Sequence, residues 1–194
     1  MIGRVKERKS VRGDRGFTLI ELMVVVGLLV ICGLLATKFD TGSWMANYRL
    51  RGAARELNSA MQKVRMSAVK DDITYSILFD TSNGTYEMQK ADGAGGWLPV
   101  VGSVVTLSNY KGGIAYGAGS ANKDVLGGSG APSSVTFASD GGSTVKFRAT
   151  FTPKGFSNGG VCYLKNDRNG VYAVWALASG AMRIRKWNGS GFVN

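Results

Sequence analysis

The sequence predicts an α+β protein in which a long N-terminal helix is laid on antiparallel β-sheet. Three observations carry that expectation. An apolar run covers residues 17–36, an amphipathic 3.6-residue period follows over 45–70, and the period drops to two beyond Asp71-Asp72. The chain has 194 residues, which suits one domain with appendages. Its 28 glycines are about twice the usual ~7% share and fit a loop-rich, β-rich second half.

From Phe17 to Ala36 the chain reads FTLIELMVVVGLLVICGLLA. Twenty residues in a helix rise about 30 Å, the thickness of a bilayer core. One acid, Glu21, interrupts the run; a carboxylate in lipid costs a few kcal/mol and calls for a partner. The preceding residues 1–16 hold Arg4, Lys6, Arg8, Lys9, Arg12 and Arg15 against Glu7 and Asp14, a local charge of +4 within a total of +11. Such a basic flank stays cytoplasmic, so residues from Thr37 onward face the periplasm or cell exterior. A secretory signal would place its small residue after the apolar stretch, whereas Gly16 stands before it.

A polar patch, 37–43, offers a place for the helix to kink or re-cap. Trp44 and Tyr48 suit either a membrane–water boundary or packing on the domain. Leu50, Ala53, Ala54, Leu57, Ala60, Met61, Val64 and Ala68 then recur at helical spacing. The opposite face carries Arg49, Arg51, Arg55, Lys63, Arg65 and Lys70 beside a single Glu56. It reads as a solvated face, or as contact with acidic neighbours or nucleic acid.

Period-two runs at 73–79 and 85–90 flank Ser82-Asn83-Gly84 and predict a hairpin. Further strands are expected over 104–107, 135–138, 144–151, 161–164, 171–177 and 182–187. A Gly/Ser/Ala-rich loop spans 112–133, and Asp140-Gly141-Gly142 and Asn169-Gly170 mark turns.

The absence of His removes His-based triads, His-ligated zinc and ordinary imidazole acid–base chemistry. The acids of the second half sit mostly in turns, and the glycine pairs form neither a dinucleotide fingerprint nor a P-loop. No enzyme, cofactor or metal is therefore expected. Cys32 and Cys162 cannot pair if one lies in lipid and the other in a folded domain. Cys162 reads as a small buried hydrophobe.

Two resemblances sharpen this. Arg15-Gly16-Phe17-Thr18-Leu19-Ile20-Glu21 resembles the type IV prepilin processing site. The resemblance implies cleavage after Gly16 by a prepilin peptidase, N-methylation of Phe17, and pairing of the Glu21 carboxylate with a neighbouring subunit's terminal amine. Residues 55–68 (RELNSAMQKVRMSA), the Phe151-Thr152-Pro153-Lys154-Gly155-Phe156 turn and residues 171–185 (VYAVWALASGAMRIR) resemble the GspH/FimT branch of pilins and pseudopilins. The resemblance implies the type IV pilin fold. Its parts would be a leader over 1–16, a transmembrane and assembly helix over 17–36, the amphipathic half of that helix over 37–70, and a periplasmic β-rich domain over 71–194. It also implies a minor subunit of a type IV pilus or type II secretion pseudopilus, at the tip or in initiation. Other pilins or pseudopilins, assembly-platform proteins and inner-membrane lipid would be its partners.

A second reading concerns DNA. Arg183 and Arg185 alternate onto one face of a strand, where two guanidiniums can grip phosphates without reading bases. Some FimT-like minor pilins bind DNA through a motif resembling G-R-x-R; here Met182 stands at the glycine's place and Gly180 lies two residues earlier. On this reading Arg183, Arg185, Lys186, Lys165 and Arg168 contact DNA during uptake. Otherwise these cations guard a solvated edge strand, while Trp187 and Phe192 cover the sheet edge.

Overall fold

The computed structural model describes residues 17–36, 41–128 and 130–193. The leader segment, with Gly16, and most of the polar patch lie outside the described residues. The chain divides into two compact units, Met1–Asp40 and Thr41–Asn194.

In the first unit, α1 (Leu19–Ala36) starts two residues later than the apolar run. Thr18 sets that start. Its Oγ1 accepts the Glu21 N–H at 3.2 Å, which satisfies an otherwise orphaned donor, and its carbonyl accepts the Leu22 N–H at 3.1 Å as the first bond of the helix. Among the described residues no helix is long and apolar enough to cross a membrane. The 18 residues of α1 rise only about 27 Å, against a hydrocarbon core of about 30 Å. Its large apolar side chains are all exposed, from Val25 at 47% to Leu19 at 77%.

The second unit is built around α2 (Thr41–Asp71). All eight apolar positions that define its period are buried, Leu50, Ala54, Leu57, Met61 and Ala68 completely. The helix begins four residues ahead of the expected 45 because its first turn, with Gly42 and Trp44 exposed, leaves no apolar periodicity to read. Trp44 and Tyr48 stack on each other with centroids 5.9 Å apart and stay about two-thirds exposed, so they do not join the core.

Among the described residues eleven strands follow: β1 (Tyr75–Asp80), β2 (Thr85–Ala91), β3 (Trp97–Pro99), β4 (Val105–Thr106), β5 (Ala115–Tyr116), β6 (Ala138–Ser139), β7 (Lys146–Phe151), β8 (Gly160–Lys165), β9 (Val171–Ala176), β10 (Met182–Trp187) and β11 (Phe192–Val193). They form two antiparallel sheets. One runs β3-β2-β1-β7-β6, with β4 also on β2; the other runs β11-β10-β9-β8-β5. The expected hairpin is β1–β2, closed by Asp80 opposite Thr85. The Asp80 carboxylate caps its turn, accepting from the Ser82 and Asn83 backbones and both their side chains. These bonds hold its pKa down at about 2.

Helix α2 seats across both sheets, touching β1 and β7 of the first and β8, β9 and β10 of the second. A single core joins Leu57, Met61, Ile77, Phe79, Phe151, Leu164 and Val174. Cys162 is buried in it, and burial pushes its thiol far above the ordinary value. The reverse face of the second sheet holds a smaller core of Val161, Tyr163, Val171, Trp175 and Trp187, closed by Ala121 and Val125 of the glycine-rich loop.

Two expected strands are shorter than their sequence suggests. Of 104–107 only Val105–Thr106 pairs, and a 3-10 turn takes over at Leu107. Of 135–138 only a bridge from Val135 to Cys162 and the start of β6 remain. There the Thr136 hydroxyl, rather than its carbonyl, accepts the Val161 N–H at 2.8 Å, which breaks the ladder. The short strands β3, β5 and β11 carry no alternation long enough to foresee.

Candidate assembly interface

At the start of α1, Phe17 is 84% exposed and Glu21 is also exposed, with no cation paired to it among the described residues. Thr18-x-x-Glu21 has the spacing of a capping box, and the structure shows one of its two bonds, the Glu21 N–H to Thr18 Oγ1. Glu21 thus occupies the third helical position, where the helix dipole favours a negative charge. The T-x-x-E spacing is a sequence signal from which this local role could have been read.

The C-terminal cations fall in three places. Arg183 and Arg185 share one face of β10, and the Arg185 guanidinium lies over the Trp175 ring at 5.6 Å from its centroid. Lys186 alternates to the opposite face with Met182 and Ile184, which pack on the main core. Lys165 ends β8 beside Gly117, and Arg168 is exposed on the β8–β9 turn. The five do not form one patch. Trp187 is buried and sits 5.1 Å from Phe192, so these rings do cover the sheet.

What the fold does assemble is a cleft between α2 and β10. It has a volume of about 390 Å³ and is lined by Arg51, Arg55, Tyr172, Ile184, Arg185 and Lys186. Sequence reasoning placed Arg51 and Arg55 on a basic helix face, but nothing in the spacing joined them to Lys186 or supplied Tyr172.

The same helix is pinned from the β7–β8 connection, beside which the β9–β10 turn packs. Arg65 Nε donates to the Gly155 carbonyl at 3.0 Å, within the Thr152-Pro153-Lys154-Gly155 turn. Gly180, in the β9–β10 turn, has a φ of 77°, and a Cβ there would clash with that same carbonyl. At the other end the Asn166 side chain donates from Nδ2 to Asn47 Oδ1 at 3.0 Å, while its Oδ1 accepts the Arg168 and Gly170 N–H groups.

An apolar helix whose side chains are exposed, and a unit of amphipathic helix on two antiparallel sheets, together define a pilin-type subunit. The family model of the type II transport protein GspH matches residues 53–171, more than half of the chain. That of the prokaryotic N-terminal methylation motif matches residues 11–37. The chain belongs to the GspH family, and it is a minor pilin or pseudopilin subunit. The fold is similar to that of the minor pseudopilin EpsH from the type 2 secretion system of Vibrio cholerae. The TM-score is 0.51 at 10% identity, over 71% of this chain and 97% of that one. The type IV minor pilin FimU of Pseudomonas aeruginosa aligns over 74% of this chain and 92% of its own, at 17% identity and a TM-score of 0.41. No curated protein sequence matches the chain. Membership of the family implies membrane anchorage, processing by prepilin peptidase and assembly with other pilins or pseudopilins.

Proposed function

We propose that the chain is cleaved after Gly16, methylated at Phe17, and held in the inner membrane by residues 17–36 with residues 71–194 in the periplasm. From there it enters a type IV pilus or type II secretion pseudopilus, at the tip or in initiation. The observation that carries this reading is the exposure of α1. More than a dozen large apolar side chains between Phe17 and Leu35 stand in the open, a state water does not tolerate and lipid or a helical bundle does. Processing at Gly16 would create a cationic amine at Phe17, four residues from Glu21. Within a bundle of low dielectric that amine and a neighbour's carboxylate are each costly alone and tolerable as a pair. The role is mechanical, with no catalytic residue assigned.

The test is a pair of variants. Glu21→Ala is expected to be cleaved normally and to lose incorporation into sheared filaments by about tenfold or more, the loss of a buried pair's partner. Gly16→Val is expected to leave the protein at its unprocessed mass. Normal incorporation of Glu21→Ala would remove the charge-pairing argument, and a mature mass for Gly16→Val would remove the leader assignment.

A further inference from the structure

The cleft between α2 and β10 gathers positive charge without any carboxylate in its lining. Arg51 and Arg55 are four residues apart on one face of α2, and Lys186 reaches the same space from β10. All three are exposed, and the half-buried Tyr172 lies among them. Burial raises the Tyr172 phenol above its ordinary value, and the two arginines pull it partly back, so it stays a hydrogen-bond donor at neutral pH. Like charges this close repel one another, and the arrangement is relieved by an anion that enters between them.

The shape of the site decides which anion. A nucleic-acid surface is a stripe of cations following successive phosphates, whereas these cations line one cleft around a single phenol. Beside the cleft, residues 182–184 of β10 have β9 on one side and, among the described residues, no strand on the other, because β11 pairs only with Lys186 and Trp187. An extended polypeptide can bond such an edge through its main chain and drop a side chain into the adjoining pocket.

We propose that this cleft receives the carboxylates of an extended acidic segment on a neighbouring filament subunit, with Arg51, Arg55 and Lys186 as its cations and Tyr172 as a neutral donor. The proposal rests on the reading of the chain as a filament subunit. It gives the basic face of α2 a partner, and it places the contact in the folded domain rather than in the apolar helix.

The experiment uses the full mature chain in detergent and in cells. A labelled hexaglutamate peptide and a labelled short DNA duplex are titrated against the native chain, Arg51→Glu/Arg55→Glu and Arg51→Lys/Arg55→Lys. In parallel, neighbouring subunits crosslinked to each variant in cells are quantified beside Glu21→Ala. Peptide binding is expected to weaken about tenfold or more on charge reversal, to survive in the lysine variant, and to fall with added salt. Crosslinked neighbours should drop in the reversed variant while its leader is still removed and its thermal midpoint is unchanged. Equal peptide binding by the native and reversed chains would overturn the proposal. So would a duplex that binds through the cleft more tightly than the peptide. If Glu21→Ala loses its neighbours and the charge reversal does not, the cleft proposal falls while the filament reading stands. If neither variant loses neighbours, both fall.

Discussion

Helices α1 and α2 are both regular and both rich in apolar residues, yet they solve opposite problems. In α2, apolar side chains recur every three or four residues, and all eight that define the period are buried against two sheets. In α1 the apolar residues run all the way round, and every large one is exposed. A one-sided stripe can be satisfied within its own chain, because a sheet covers one face only. An all-round apolar surface needs lipid or other helices on every side. The pattern of apolar residues therefore tells which helix is satisfied within the domain and which is not.

The strongest way to break this comparison is the same substitution in each helix. Leu57→Ala should cost the domain about 3 kcal/mol in urea unfolding, since Leu57 is fully buried. Leu28→Ala, at a position 56% exposed, should leave that transition within about 0.5 kcal/mol and show its effect only in filament yield. Similar losses in the same transition would mean that α1 is satisfied within the chain after all.

A second test sharpens the contrast on the polar side. Arg148 is 8% exposed, yet fully employed. Its guanidinium donates to Asp140 at 2.9 Å, to Ser76 at 2.9 Å and to Gln89 at 2.6 Å, and lies 4.4 Å from the Trp97 ring centroid. Arg148→Met should destabilise the domain by about 3 kcal/mol, because it strands the buried partners of the charge. A loss below about 1 kcal/mol would show that these groups find water instead.

The smallest effect is expected from Asp80. Its folded pKa is about 2, below the usual 3.8, so its contribution is present above about pH 4 and is lost as the pH falls toward 2. Asp80→Asn should flatten that part of the acid-unfolding curve and leave the curve at neutral pH nearly unchanged. An unaltered acid limb would mean that the capped turn also persists in the unfolded chain.

The long elements and the terminal motif were legible from residues alone because each depends on local order. The period of α2, the β1–β2 hairpin, the long strands β7 to β10 and the glycine–phenylalanine–glutamate sequence at residues 16–21 are all patterns along the chain. The two-residue strands β5 and β11 were not legible, since they exist only because β8 and β10 lie beside them. Nor was the job of Gly155 and Gly180, which meet around one carbonyl that Arg65 also grips. The candidate sites divide in the same way. Glu21 stands out in the sequence because a charge in an apolar run is visible there. The cleft does not, because Arg51 and Arg55 are separated from Tyr172 and Lys186 by more than a hundred residues and meet only when β10 folds back along α2. Sequence by itself determined the helices, the main strands and the kind of protein, through periodicity and a fixed order of residues. Tertiary structure alone decided which cations share a space, because charges interact through distance in three dimensions and not along the chain.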